Sequence, residues 1–135
     1  MEILMRILPF ALFEFESVEP TRLVHTTTPE VAEKIKSDGF TPVGRIDFKK
    51  YSGLGRDGCY FYPIHNRRMI QAYAYFMNQN LGRPYGSPVT LIYCEAHPSI
   101  VRVGESEEFG LFIKTDNLDK VMVKKMVTIN VGDIY

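Results

Sequence analysis

Residues 51–62 read YSGLGRDGCYFY, and the reading of this stretch decides the fold. Gly53, Gly55 and Gly58 keep the Gly-x-Gly-x-x-Gly spacing of a dinucleotide-binding turn. Such a turn works between an apolar strand and a helix whose N-terminus receives a pyrophosphate, inside a parallel βαβ unit. Here Lys49-Lys50-Tyr51-Ser52 precedes the glycines, and the aromatic run Cys59-Tyr60-Phe61-Tyr62 follows them. The order is that of a glycine-rich loop feeding a β-strand closed by Pro63, and the spacing alone is a weak signal.

Upstream, Arg22-Leu23-Val24-His25 is a short apolar strand ending in a histidine, followed by Thr26-Thr27-Thr28-Pro29-Glu30. Thr28 is suited to a helix N-cap, Pro29 to the first helical position and Glu30 to the positive end of the dipole. A helix of about ten residues is expected from Pro29 to the stop at Gly39, with Val31, Ala32 and Ile35 on one face. Residues 41–56 lack periodicity and read as a loop with at most one short strand. From Asn66 to Leu81 the apolar positions Met69, Ile70, Tyr73, Phe76 and Met77 recur every three to four residues, a second helix ended by Gly82 and Pro84. Strands follow at Val89–Cys94, Ile100–Val103, Phe109–Ile113 and Val121–Ile129, with Lys124-Lys125 as a solvated turn or face. Many strands with two segregated helices predict an α+β domain with a mostly antiparallel sheet.

The chain of 135 residues has room for one domain spanning 1–135. Sixteen basic residues balance sixteen acidic ones, which removes the broad positive field that non-specific nucleic-acid binding requires. Two cysteines, Cys59 and Cys94, make no disulfide framework, and no Cys/His set has structural-zinc spacing, so a reducing cytosol is expected and no metal. The run Ile7–Phe13 is too short to span a membrane and lacks the cleavage site of a signal peptide. Phe13-Glu14-Phe15-Glu16 alternates at period two, as a half-buried strand does.

In order, the landmarks are His25-Thr26-Thr27, a capped helix ending in Gly39-Phe40, Gly58-Cys59-Tyr60-Phe61, the helical Gln71-Ala72-Tyr73-Ala74-Tyr75, the strand Leu91–Ala96 and Glu108-Phe109-Gly110-Leu111-Phe112-Ile113. From Leu23 to Val127 this arrangement resembles the catalytic domain of the ADP-ribosyltransferases, in the His-Tyr-Glu branch that includes the poly-ADP-ribose polymerases. The resemblance implies two small, mostly antiparallel sheets with flanking helices, NAD held in a cleft without a dinucleotide-binding turn, and transfer of ADP-ribose to a macromolecular acceptor with release of nicotinamide. A protein acceptor is expected over nucleic acid. The small size suggests a catalytic domain acting alone, as in toxins and effectors.

The resemblance also assigns roles. His25 would hydrogen-bond a ribose hydroxyl, and the backbone of Thr26 would meet the nicotinamide carboxamide. Many relatives have glycine in place of Thr26. Thr27 would orient the histidine or touch ribose, Gly58 would allow close backbone approach, and Tyr60 would stack on nicotinamide, for which an aromatic face is a suitable platform. A second stacking tyrosine is expected on the helix; Tyr73 and Tyr75 flank its place, and Tyr73 is the choice. Glu108 would stabilise the cationic transition state, with Glu107 as the alternative register, since adjacent strand positions face opposite ways. His65, Arg67 and Arg68 match nothing specific.

Other readings of the same residues remain open here. His25 at a strand end can instead satisfy backbone groups beside a helix cap, the tyrosines can be core, and Glu105–Glu108 can be a solvated loop. The domain can then be a module of the same fold that binds NAD, ADP-ribose or a protein without turnover. A phosphoesterase using two His-x-Thr/Ser motifs would need His97-Pro98-Ser99 to join His25-Thr26-Thr27.

Overall fold

The computed structural model describes residues 18–40, 58–103 and 110–134. The strand expected at Phe13–Glu16, the loop at 41–56 and the acidic run Glu105–Glu108 lie outside the described residues.

Strand β1 (Thr21–Thr27) is followed by helix α1 (Pro29–Asp38), strand β2 (Gly58–Pro63), helix α2 (Arg67–Asn80) and strands β3 (Val89–Ala96), β4 (Arg102–Val103), β5 (Leu111–Lys114) and β6 (Met122–Ile129). They form an α+β fold whose strands are all paired antiparallel, in the order β4-β5-β2-β1-β3-β6. The expectation was two small sheets. The strands instead form one six-stranded order, in which β1 and β3 pair over seven positions and β1 and β2 at Leu23↔Pro63 and Val24↔Tyr62. Beyond Val24 and Tyr62 the two strands part, β1 staying with β3 and β2 staying with β5.

The helices form where their ends dictate. The Val31 amide donates to Thr28 Oγ1 at 3.2 Å, and Gly39, at φ +79°, turns its N–H back to the Ile35 carbonyl at 2.7 Å. These are the cap and the left-handed stop that threonine before proline, and glycine at the end, make cheap. At α2 the Asn66 side chain accepts from the Met69 amide at 3.3 Å.

The strands have apolar side chains on both faces, and each face is covered. Leu23, Phe61, Ile92, Cys94 and Ile113 lie under α1 with Ala32, Ile35 and Phe40. Val24, Tyr62, Val89 and Leu91 lie under α2 with Ile70, Ala74 and Met77, together with Val131 and Ile134 of the C-terminal turn. Alternation along the strands therefore decides which layer each side chain joins.

One local expectation is corrected. Pro98–Ile100 forms a 3₁₀ turn, so the strand expected at 100–103 is reduced to Arg102–Val103; proline at its first position and the His97 side chain, which accepts from the Ser99 amide at 3.1 Å, favour the turn. Of the turn or solvated face expected at Lys124-Lys125, the structure has the face: both are exposed inside β6, where the register shifts between Tyr93 and Cys94 and Lys124 becomes the extra residue of a β-bulge.

Candidate functional site

The parting of β1 and β2 brings together residues far apart in sequence. His25 lies one position past the last paired residue of β1, Val24, and Tyr60 two positions past that of β2, Tyr62. His25 Nδ1 is 2.8 Å from the Tyr60 carbonyl oxygen. A carbonyl can only accept, so Nδ1 carries the proton. The imidazole is held edge-on to Phe40 at 5.4 Å and tilted against Phe61 at 5.3 Å. The Tyr60 hydrogen bond and the Phe40 and Phe61 rings help fix this ring, and His25 is 8% exposed.

Thr26 points the other way along the strand, to the face shared with α2, and is buried. Its Oγ1 has no hydrogen-bond partner. A buried hydroxyl is seldom left so, because its desolvation is uncompensated. By register, Thr26 stands across the parted strands from Tyr60, whose ring projects to the same face as Tyr62. Thr27 is buried on the His25 side, next to the cap Thr28.

The Tyr60 ring is tilted against Phe112, 4.8 Å between centroids, directly opposite in the β2–β5 ladder. Gly58 is required by that packing: a Cβ there would overlap the Phe112 ring and the Ile113 carbonyl. The close approach expected at Gly58 is therefore made by the neighbouring strand. Gly110, at φ +68°, plays the same part beside Tyr62 and the Phe61 carbonyl.

Of the two helical tyrosines, Tyr73 stands 6.0 Å from the Tyr62 ring, on the face to which Tyr60 also projects. Tyr75 stacks on Tyr85 of the α2–β3 loop at 4.4 Å, with 15° between the planes. That loop is fixed by Asn78, which is wholly buried: its Nδ2 donates to the carbonyls of Tyr85 and Ser87 at 3.0 Å each, and its Oδ1 accepts from Arg83. Arg67 is committed elsewhere, Nη1 donating to the Ile134 carbonyl at 3.1 Å.

The structure thus brings the His25 ring to the backbone of Tyr60, but alternation puts the His25 and Thr27 side chains on the α1 face and those of Thr26 and Tyr60 on the α2 face, where Tyr73 packs on Tyr62; Glu108 and Glu107 lie outside the described residues. The structure separates His25 from His97. His25 faces Ile92, five residues before His97, so roughly 17 Å of extended chain lies between them. Two side chains that the sequence did not single out complete the surroundings, Phe40 against His25 and Phe112 against Tyr60. The signal for Phe112 was its alternation with Leu111 and Ile113; for Phe40 it was its place just after the helix stop.

Among the described residues there is no helix long and apolar enough to cross a membrane, and no group of three or more His, Cys, Asp or Glu suited to a metal ion. No protein-family model matches the chain, and no curated protein or solved structure matches it at a significant level.

Proposed function

We propose that this chain is an ADP-ribosyltransferase that cleaves NAD at the parting of β1 and β2 and passes ADP-ribose to a macromolecular acceptor, a protein before a nucleic acid. The observation that carries the reading is the 2.8 Å bond from His25 Nδ1 to the Tyr60 carbonyl. It joins the first two motifs of the His-Tyr-Glu resemblance, 35 residues apart, beside the point where β1 and β2 stop pairing.

The chemistry asks for a fixed leaving group, held riboses and an anion near the developing charge. His25, oriented through Nδ1, is the partner for a ribose hydroxyl. Tyr60 supplies an aromatic face and Thr26 a buried hydroxyl still able to donate and accept, a fitting partner for a carboxamide. Tyr73 comes from the helix on the same side. Glu108, or Glu107 in the shifted register, supplies the anion. The C1′–N bond breaks with its electron pair passing to the nicotinamide nitrogen. The acceptor's lone pair then bonds to C1′ and its proton is released; with water as acceptor the site is an NAD glycohydrolase. The cytosol, where NAD is abundant and thiols stay reduced, is the proposed compartment.

A second reading, a module that binds NAD without turnover, draws on the burial of His25 and Tyr60, each 8% exposed. Nicotinamide release from NAD by purified protein, with Glu108→Gln and Glu107→Gln beside it, separates the two. Transferase chemistry predicts release that falls at least about a hundredfold in one of the two variants, the scale of losing a charge-stabilising group. No release, with NAD still raising the melting temperature, selects the binding module. If NAD does neither, both readings fall.

A further inference from the structure

Beside the stripe of α2 that meets the sheet runs a second one. Arg68, Gln71, Ala72, Tyr75, Phe76 and Gln79 recur every three to four residues, and with Tyr85 of the α2–β3 loop they line an open depression of about 360 Å³. Tyr85 is 60% exposed and Phe76 46%. The Tyr85 ring lies on Tyr75 at 4.4 Å with 15° between the planes, so one of its faces is covered and the other is turned to solvent. Its place is fixed from below. The wholly buried Asn78 donates to the carbonyls of Tyr85 and Ser87, and Arg83 donates to Asn78 Oδ1 and to the Pro88 carbonyl. A satisfied polar network that rigidifies a loop carrying an exposed aromatic ring is the build of a binding loop. Charge on this part of the chain is one-sided: residues 58–94 contain Arg67, Arg68 and Arg83 and no Asp, Glu or Lys. Gln71 donates to the Val131 carbonyl of the C-terminal turn at 3.0 Å, which brings one carboxylate, the exposed Asp133, to the border of the stripe.

We propose that this face of α2 binds single-stranded nucleic acid, with a base stacked on the open face of Tyr85 and a phosphate at Arg68. Every base has a flat π-face, so a rigid aromatic platform beside a cation holds a single strand without reading its sequence. The Gln79 amide, exposed at the rim, has the donor and acceptor groups that a base edge requires. A duplex cannot use the platform, because its bases are closed within the stack. An acidic peptide would meet the arginine but match neither the ring face nor the amide, so nucleic acid is the occupant that these residues favour over protein. The balanced charge of the whole chain removes a broad positive field; it leaves this local one. The inference does not depend on the NAD reading, since the stripe contains none of the residues assigned to NAD.

The test uses the full-length protein and three fluorescein-labelled probes: a deoxythymidine dodecamer, the same strand annealed to its complement, and a dodecamer of Glu. Fluorescence anisotropy at low salt should show saturable binding of the single strand, at least tenfold weaker binding of the duplex and none of the peptide. Tyr85→Ala should weaken the single strand at least about fivefold, the lower end for one stacked base, whereas Tyr85→Phe, which keeps the ring, should bind as the parent does. Arg68→Gln should reduce the slope of log affinity against log salt by about 0.7, one phosphate contact of a single strand. Asp133→Asn should tighten binding, and Lys34→Gln, on α1, should leave it unchanged. All four positions are exposed, and melting temperatures verify folding. Absence of binding, a duplex held as tightly as the single strand, an affinity unmoved by Tyr85→Ala or a salt slope unmoved by Arg68→Gln would each overturn the proposal. So would a peptide bound as tightly as the single strand, which would assign the face to a protein.

Discussion

Thr26→Val should make the free protein more stable, against the usual sign of a core substitution. The side chain is 4% exposed, and its Oγ1 has no hydrogen-bond partner. An uncompensated buried hydroxyl costs about 1–3 kcal/mol by protein mutational data. Valine keeps the shape of threonine, removes that cost and retains a β-branched residue in the middle of a strand. A gain of about 1–2 kcal/mol is therefore expected, which for a chain of this length raises the melting temperature by roughly 3–6 °C. Thr26→Ala, which also deletes a methyl group, should show no such gain. The assay is urea denaturation and thermal melting of all three proteins, each without and with saturating NAD. If the hydroxyl is kept for a ligand, the NAD-induced rise in melting temperature should shrink in the valine variant even as the unliganded protein melts higher. Destabilisation by about 1 kcal/mol or more in Thr26→Val would refute the reasoning, since it would mean that the hydroxyl already has a partner.

His25→Leu should cost about 1–3 kcal/mol, the penalty for leaving the Tyr60 carbonyl unmatched, and His25→Asn should regain part of it because its Nδ2 can occupy the place of Nδ1; chemical denaturation measures both. Asn78→Ala removes two donated hydrogen bonds and one accepted from Arg83, a loss of about 2–4 kcal/mol that should be seen as lower stability and faster amide exchange in residues 81–88. The Cys94 thiol is pushed up to about 12, first by burial and then by the neighbouring Cys59. Its folded-state pKa lies above the unfolded one, so its contribution is intact below about pH 9 and is lost as the pH climbs toward 12; stability should fall over that window, less steeply in Cys94→Ala, and the native thiol should resist alkylation at pH 8 until the protein unfolds.

The chain's fold was legible where punctuation and periodicity agreed. Thr28-Pro29 and Gly39 bracket α1 within a residue, because a cap, a proline at the first position and a left-handed glycine act locally. Asn66 and the three-to-four residue spacing did the same for α2. The aromatic run after Gly58 is a strand, as its composition required. What local pattern did not convey was strand pairing. That β1 lies between β2 and β3, and leaves β2 after two pairs, depends on contacts between distant residues. Lys124-Lys125 left a turn and a solvated face open because two adjacent lysines cannot both sit on one face of a regular strand; a bulge, set by the partner strand, keeps both in solvent within β6. In the candidate site, His25 and Tyr60 were named through the family resemblance, but the bond between them runs to a backbone carbonyl, which every residue carries and no sequence marks. Thr26 was singled out for its backbone, whereas the structure draws notice to its side chain.

The hydrogen bond from His25 bears on how the site can open. Along most of β1, backbone pairing with β3 ties the strand down, while toward β2 the ladder ends at Val24 and the imidazole takes over the next contact. Below that point the halves share apolar side chains, Leu23 with Phe61 and Val24 with Tyr62. Above it the His25 bond and the rings of Phe40 and Phe61 hold the gap closed. Splaying β1 and β2 at this end breaks the His25 hydrogen bond, net about 0.5–1.5 kcal/mol, together with ring contacts, and leaves the shared core of the lower end intact. If the proposed NAD reading holds, a ligand bonding His25 and Thr26 offsets that cost at the point where the two strands stop pairing.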